Sequence, residues 1–148
     1  MDDGFIGEYY HTIDAKGRVI IPQKFREALG DRFYISKGLD GCLWIHPSEE
    51  WAAFRASLRE LSAIDEDSRR FKRFFLAGAS DCELDKQGRI LIPGPLRNYS
   101  ELTKDVVLAG MDNRIEIWSQ AKWDGEDEIN NANMNNIAAR LSGMGIKI

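Results

Sequence analysis

Short apolar runs alternate with polar turn residues along most of the chain, a pattern typical of a β-rich protein. The first run covers residues 5–13 and is rich in aromatic and β-branched residues, and a second run covers residues 18–21. Between them, Asp14 and Gly17 occupy the first and fourth positions of a four-residue turn, where each favours a tight reversal of the chain. The pattern predicts a hairpin made of these two strands.

A short helix is predicted directly after this hairpin. Pro22 has no backbone N–H, so it ends a strand and suits the first position of a helix. Phe25, Ala28 and Leu29 then recur at helical spacing, and Gly30 stands where a helix would end. Further along, the same signals predict strands at 32–36 and 42–45, a helix with Ser48 as its N-cap, and a helix at 68–78.

The arrangement of turn, strand and proline occurs a second time. Residues 13–22 and 84–93 share an aliphatic residue, Asp, Gly, Arg, three aliphatic residues and Pro at equal spacing. Internal repetition of this kind predicts two copies of one structural unit. Because Gly94 and Pro95 follow the second motif, we expect a shorter helix there than after the first.

We expect an α+β protein that is mainly β and is divided by the two copies. The predicted segments are a first module at 5–47, connecting helices at 48–78, a second module at 79–123 and a C-terminal helix or tail at 124–148. Apolar residues at helical spacing from Met134 to Leu141 favour a helix there, although asparagine is a poor helix former. The last residues, 142–148, are a candidate for disorder.

The distribution of charge changes what the average charge suggests. A net charge of −4 over 148 residues argues, as an average, against a nucleic-acid-binding protein. Yet residues 14–26 contain four basic residues against one acidic residue, and residues 85–97 contain three against one. Acidic residues gather instead at 49–67 and 124–128. This segregation predicts one anion-binding surface and a remote acidic surface.

The sequence predicts no membrane segment, metal or cofactor. It has no run of about 18 apolar residues and no signal-peptide pattern at its start, so we expect a cytoplasmic protein without a membrane partner. Cys42 and Cys82 share no metal-ligand spacing with His11 or His46, and we expect both to be buried thiols in a reducing compartment. No nucleotide-binding or nucleophile motif is present, so we expect no enzyme activity.

Basic residues around the repeated turn are the strongest candidates for function. Arginine can pair bidentately with guanine O6 and N7 in the major groove, and lysine suits phosphate. The candidate DNA-binding residues are Arg18, Arg89, Lys16 and Lys86, and the candidate turn-forming residues are Asp14, Gly17, Asp85 and Gly88. In an alternative interpretation, each Asp holds its Arg across the turn and stabilises the hairpin without a ligand. The two roles are compatible, with Asp orienting an Arg that contacts DNA.

Two other classes of function stay open from the residues alone. Phe71, Phe74 and Phe75 form an apolar stripe among the basic residues of 69–73, which is either a solvated helix face or an interface in a structural assembly. An enzyme acting on an anionic substrate is the third possibility. It would need a base or nucleophile at a repeated position, and the two motifs share none.

Several segments together resemble one known family. The matching segments are 7–9, 14–18, 21–26, 85–93, 96–97 and 115–118. In these segments and their spacing, the sequence resembles the MraZ family of bacterial transcriptional regulators, which are built from two AbrB-like modules. A single Asp-x-x-Gly-Arg motif would be weak, whereas two with these flanks are specific.

The resemblance implies a fold, an assembly and a ligand. The fold is a pseudo-twofold swapped-hairpin β-barrel with peripheral helices, and the assembly is a homo-oligomeric ring. The ligand is double-stranded DNA, at short G-rich direct repeats in the promoter of the protein's own operon within the division and cell-wall gene cluster. The resemblance also implies a repressor associated with the nucleoid, in which Arg18 and Arg89 contact bases and Lys16 and Lys86 lie beside them on DNA.

Overall fold

A computed structural model describes residues 4–147 and contains eight strands and five α-helices in that range. The strands are β1 Glu8–Thr12, β2 Arg18–Ile20, β3 Phe33–Lys37, β4 Leu43–Pro47, β5 Ser80–Cys82, β6 Arg89–Leu91, β7 Asp105–Gly110 and β8 Ile115–Ser119. The helices are α1 Gln23–Leu29, α2 Ser48–Arg59, α3 Glu66–Leu76, α4 Gly94–Ser100 and α5 Gln120–Gly143. The α+β class that the sequence predicts is confirmed, but the prediction of a mainly β protein was wrong, because the helices contain more of the described residues than the strands do.

The strands form one six-stranded sheet and one separate two-stranded ribbon. The sheet has the order β1-β7-β8-β4-β3-β5, and all its neighbouring strands are antiparallel. The ribbon consists of β2 and β6, also antiparallel. Because β1 pairs with β7, β2 with β6 and β3 with β5, the two modules exchange strands in both directions.

The prediction of a simple hairpin at residues 5–21 was wrong. The two arms meet only at one bridge, between Ile13 and Val19, and then diverge to partners in the second module. An isolated two-stranded hairpin is at best marginally stable in water. Pairing across the modules instead places Val19 opposite Ile90, and both side chains are buried in the shared core.

The strand order is unchanged when each strand is replaced by its counterpart in the other module. Exchanging β1 with β5, β2 with β6, β3 with β7 and β4 with β8 gives the same order read from the other edge. The register of the ribbon behaves in the same way, since Arg18 lies opposite Leu91 and Ile20 lies opposite Arg89. The sheet is open, with β1 and β5 at its edges, so a closed barrel with a pseudo-twofold axis stays a prediction.

Two hydrophobic clusters lie on opposite faces of the six-stranded sheet. The larger cluster joins the sheet to the ribbon and to α1 and α4, through buried residues that include Val19, Phe25, Ile45, Ile90 and Leu96. The smaller cluster lies under α2 and α3, and its buried residues are Cys42, Trp44, Leu58, Phe75, Val107 and Trp118. The ribbon and the connecting helices are therefore on opposite sides of the sheet.

Three predictions about the helices were wrong. Helix α4 has the same length as α1, seven residues, because Pro95 lies in its first turn, where a helix does not need the missing N–H. Ser48 does not cap α2, because its hydroxyl donates a hydrogen bond to the carbonyl oxygen of Arg32. Helix α3 begins earlier than predicted, since the carboxylate of Asp65 accepts a hydrogen bond from the backbone N–H of Ser68 and caps it.

The C-terminal helix is confirmed and is longer than the apolar pattern suggests. Helix α5 runs over 24 residues and is capped by Ser119, whose hydroxyl oxygen accepts a hydrogen bond from the backbone N–H of Lys122. It reaches Gly143, so part of the segment proposed as disordered is helical, and Ile148 lies outside the described residues. No helix among residues 4–147 has the length and apolar character needed to cross a membrane.

Candidate nucleic-acid interface

Residues 14–18, the first motif turn, are organised by the carboxylate of Asp14. Its Oδ1 accepts hydrogen bonds from the backbone N–H groups of Lys16, at 3.0 Å, and Arg18, at 2.9 Å. Its Oδ2 accepts a hydrogen bond from Arg18 Nε at 2.7 Å. One carboxylate therefore fixes both the backbone of the turn and the direction of the arginine side chain.

Residues 85–89, the second motif turn, have the same hydrogen bonds. Asp85 Oδ1 accepts from the backbone N–H groups of Gln87, at 2.9 Å, and Arg89, at 2.8 Å, and Oδ2 accepts from Arg89 Nε at 2.8 Å. Gln87 therefore occupies the position of Lys16. Lys86 is one residue earlier in its turn than Lys16, and both lysines are exposed.

A glycine closes each motif turn in a left-handed backbone conformation. Gly17 has φ 90° and Gly88 has φ 78°. Their N–H groups donate to the carbonyl oxygens of Asp14 and Asp85, each at 3.0 Å. A turn followed by a left-handed residue is a common hairpin connection, and it favours glycine because a Cβ is costly at positive φ.

Each motif turn is joined to the opposite module by backbone hydrogen bonds. The N–H of Ile92 donates to the carbonyl oxygen of Gly17 at 2.8 Å, and the N–H of Ile21 donates to that of Gly88 at 2.9 Å. These bonds extend the ladder of the ribbon beyond β2 and β6 at both ends. The two turns are thus the two ends of one ribbon and not independent loops.

Two further arginines support the turns, and sequence reasoning did not assign them a role. The guanidinium of Arg97 lies against Gly17, and that of Arg26 lies against Gly88. Arg26 Nε also donates to the carbonyl oxygen of Ile21 at 2.8 Å. Each arginine stands eight residues after the motif arginine of its own module, and this repeated spacing was the available signal.

The ribbon brings Arg18 and Arg89 onto one face. Neighbours directly across an antiparallel pair point to the same side, so Arg18, Leu91, Ile20 and Arg89 share the outer face, while Val19 and Ile90 point into the core. The two arginines are offset by two residues along the ribbon, roughly 7 Å at about 3.3 Å per residue. The structure therefore combines the two motifs into a single surface.

The electrostatics of the turns keep both ion pairs intact at neutral pH. Hydrogen bonds from the backbone of Arg18, then from its side chain and the backbone of Lys16, lower the pKa of Asp14 to about 2. The equivalent bonds to Arg89 and Gln87 lower the pKa of Asp85. Among the described residues, the side chain of each motif arginine is hydrogen-bonded only through Nε, which leaves its two terminal nitrogens available to another partner.

The other titratable candidates do not form a reactive site. Cys42 and Cys82 are free and buried, and burial raises the pKa of both thiols to about 12, so they are protonated at neutral pH. His46 is buried beside Ser36 Oγ, at 2.9 Å, and burial followed by the nearby charge of Arg114 lowers its pKa to about 4. Within residues 4–147, no cluster of three or more His, Cys, Asp or Glu side chains could hold a metal ion.

The basic residues of 69–73 belong to α3, which lies on the side of the sheet away from the ribbon. Arg69 donates to the carbonyl oxygens of Ala63 and Ile64, and Arg70 forms an ion pair with Glu66. Phe75 is buried under the helix, whereas Phe71 is partly exposed. Arg69 and Arg70 therefore make contacts with nearby residues of their own segment. These contacts favour the interpretation of a largely solvated helix face.

Comparison with known proteins shows a doubled match over almost the whole chain. A family model described as "MraZ protein" matches residues 5–74 and again residues 75–144. The protein named "Transcriptional regulator MraZ" from Acetivibrio thermocellus is 51% identical over 142 residues, which cover 96% of this chain and 99% of the relative. The protein of the same name from Natranaerobius thermophilus is 50% identical over 93% of this chain and 96% of the relative. That from Desulfitobacterium hafniense is 57% identical over 80% and 83%.

Proposed function

The chain belongs to the MraZ family, and we propose that it is a sequence-specific DNA-binding transcriptional regulator. We propose further that it represses its own operon, in the division and cell-wall gene cluster, by binding short G-rich direct repeats in the promoter. The names of its relatives support regulation of transcription. The observation that carries DNA binding is the pair of arginines on one ribbon face, each held through Nε with its terminal nitrogens available.

The shape of the ribbon supports insertion into the major groove. That groove of B-DNA is about 12 Å wide and admits a two-stranded β-ribbon. Arg18 and Arg89 can pair with guanine O6 and N7 there, and Lys16 and Lys86, exposed at the ends of the ribbon, suit the flanking phosphates. Asp14 and Asp85 orient the arginines and form the turns with Gly17 and Gly88.

The charge distribution supports binding through this face despite the acidic total. The acidic connecting segment and α2 lie on the other side of the sheet from the ribbon. Repulsion between DNA and the acidic remainder disfavours other orientations and lowers non-specific affinity. This arrangement favours contact through the basic face.

Assembly into a homo-oligomeric ring completes the proposal. A single ribbon contacts few base pairs, whereas several ribbons on adjacent promoter repeats raise the overall affinity about 10² to 10⁴ fold.

We propose that the modules at 5–47 and 79–123 form the DNA-binding body, as a pseudo-twofold swapped-hairpin barrel, and that 48–78 and 124–148 are peripheral. The strand order, which is unchanged by exchange of the modules, supports that symmetry. We propose a cytoplasmic, nucleoid-associated protein that acts by binding and not by catalysis.

Arginine substitutions test the proposal directly. Arg18→Ala and Arg89→Ala are each expected to weaken binding to a promoter fragment that carries the repeats, as measured by gel shift. Loss of one bidentate contact costs about 1–3 kcal/mol of binding free energy, which corresponds to a roughly 5- to 150-fold weaker affinity. Arg55→Ala is the matched control, because it removes the same charge from exposed α2 on the opposite side of the sheet. Unchanged affinity of both variants, with an unchanged circular dichroism spectrum, would refute the proposal.

Salt dependence separates DNA binding from a structural assembly. Displacement of counterions from phosphates makes the logarithm of DNA affinity fall linearly with the logarithm of salt concentration. We expect such a fall for the unaltered chain. Oligomers that show no salt-dependent affinity for promoter DNA would favour the structural alternative.

A further inference from the structure

Two aliphatic side chains on the outer face of the ribbon are exposed although the core is adjacent. Leu91 is 59% exposed and Ile20 is 41% exposed. They occupy equivalent places in the two motifs, as the middle residue of each aliphatic triplet. Strand alternation buries the neighbours on either side, Ile21 and Ile92 among them, but leaves the middle residue outside. Folding therefore does not explain an aliphatic residue at this place in both modules.

These two side chains lie among the motif arginines. Arg18 is directly opposite Leu91, and Arg89 is directly opposite Ile20. Cβ atoms of directly opposed residues are about 5 Å apart. The outer face is thus a patch of two arginines and two aliphatic residues, and each aliphatic residue lies directly opposite an arginine.

The chemistry of the patch favours the floor of the DNA major groove over other occupants. A second copy of the same face would bring four guanidinium groups together, which like-charge repulsion disfavours. Phosphates offer nothing apolar to Ile20 or Leu91. In the major groove, thymine presents a C5-methyl group in the same groove as the guanine atoms that arginine recognises.

We propose that Ile20 and Leu91 contact thymine C5-methyl groups next to the guanines bound by Arg18 and Arg89. The inference rests on the proposed DNA-binding function and extends it to a second class of base. The preferred site then contains thymine within a few base pairs of guanine, and the methyl groups contribute to its selection.

Replacing thymine by deoxyuridine tests the contact without changing base pairing. The probes are a promoter duplex with its repeats and the same duplex with deoxyuridine in place of thymine inside the repeats. The full chain and the double variant Ile20→Ala, Leu91→Ala are titrated against both by fluorescence anisotropy. Ile64→Ala is the matched control, because Ile64 is 90% exposed in the segment between α2 and α3.

The unaltered chain is expected to lose about fourfold in affinity for each contacted methyl group removed, since burial of one such group contributes about 0.8 kcal/mol. The double variant is expected to bind the thymine duplex more weakly and to lose the difference between the two duplexes, while Ile64→Ala retains it. Equal affinity of the unaltered chain for both duplexes would overturn the inference and leave the proposed function standing. An undiminished difference in the double variant would also overturn it. Failure of the unaltered chain to bind either duplex would overturn the proposed function as well.

Discussion

The guanidinium of Arg97, in the second module, lies so close to Gly17, in the first, that a Cβ on Gly17 would be 2.9 Å from Arg97 Cζ. The same Cβ would be 3.0 Å from the carbonyl oxygen of Ile92. Arg26 bears the same relationship to Gly88. The shape of each motif turn is therefore fixed by its own aspartate from within and by an arginine of the other module from outside.

Gly17→Ala is expected to destabilise the fold. The new methyl group would meet Arg97 and Ile92, and the left-handed backbone at φ 90° would be strained. Strain of this kind costs about 1–3 kcal/mol, which chemical denaturation can measure. Gly125→Ala is the matched control, because a Cβ there has no neighbour within 4 Å and alanine favours the surrounding helix. Equal stability changes in the two variants would show that Arg97 does not constrain the turn.

Asp14→Asn is expected to lower the ability to distinguish promoter repeats from scrambled DNA. The amide keeps the shape of the side chain but loses the charge that holds Arg18 Nε, so the arginine is less fixed. Removing a negative charge also favours non-specific phosphate contacts. We expect the ratio of the two affinities to fall about 3- to 10-fold. This fall is part of the discrimination of about 1–3 kcal/mol that one bidentate contact provides.

The control for this change is Asp124→Asn, which removes the same charge from exposed α5. Its ratio of affinities for repeat and scrambled DNA should stay near that of the unaltered chain. If Asp14→Asn raises both affinities equally and keeps the ratio, Asp14 acts only as a nearby charge and does not orient Arg18.

His46 is expected to make stability depend on pH. In the unfolded chain the pKa of His46 is near 6.5, whereas in the folded chain it is lowered to about 4. The stability contributed by the neutral ring is complete above pH 6.5 and is lost as the pH falls from 6.5 to 4. At about 1.4 kcal/mol per pKa unit, the upper limit of this loss is about 3 kcal/mol.

Comparison of two glutamine variants isolates this effect from other titrating groups. In His46→Gln, the free energy of unfolding should fall less between pH 6.5 and pH 4 than in the unaltered chain. His11→Gln is the control, because His11 is only half-buried at the edge strand β1. If both variants have the same pH dependence as the unaltered chain, protonation of His46 does not contribute to the loss of stability.

Local features of the fold were predictable from the sequence because they depend on nearby residues. Asp14 and Gly17 sufficed to locate the first motif turn, and Phe25 and Leu29 identified the buried side of α1. The choice of strand partners was not predictable in this way. Val19 has the same alternation whether it pairs with its own hairpin or with Ile90 of the other module, so only the tertiary structure decides between them.

The contacts of Arg26 and Arg97 with the motif turns were not predictable from the sequence for a similar reason. Arg26 and Arg97 stand on helices of their own modules, and their contacts with Gly88 and Gly17 exist only after the modules exchange strands. The outer position of Ile20 was likewise obscured, since three consecutive aliphatic residues indicate a strand buried on both faces. The exposed middle residue becomes visible only when one face of the ribbon is found uncovered.

Guanine N7 footprinting shows whether both motifs act as one ribbon in one major groove. Dimethyl sulfate methylates N7, the atom that a bidentate arginine covers, so protection is mapped for the unaltered chain, Arg18→Ala and Arg89→Ala. Within each promoter repeat, we expect each variant to lose protection at a different guanine. The roughly 7 Å offset of the two arginines along the ribbon puts those guanines in the same groove, less than about half a helical turn apart. Protection that is unchanged in both variants, or lost at guanines a full turn or more apart, would contradict the binding of one ribbon in one groove.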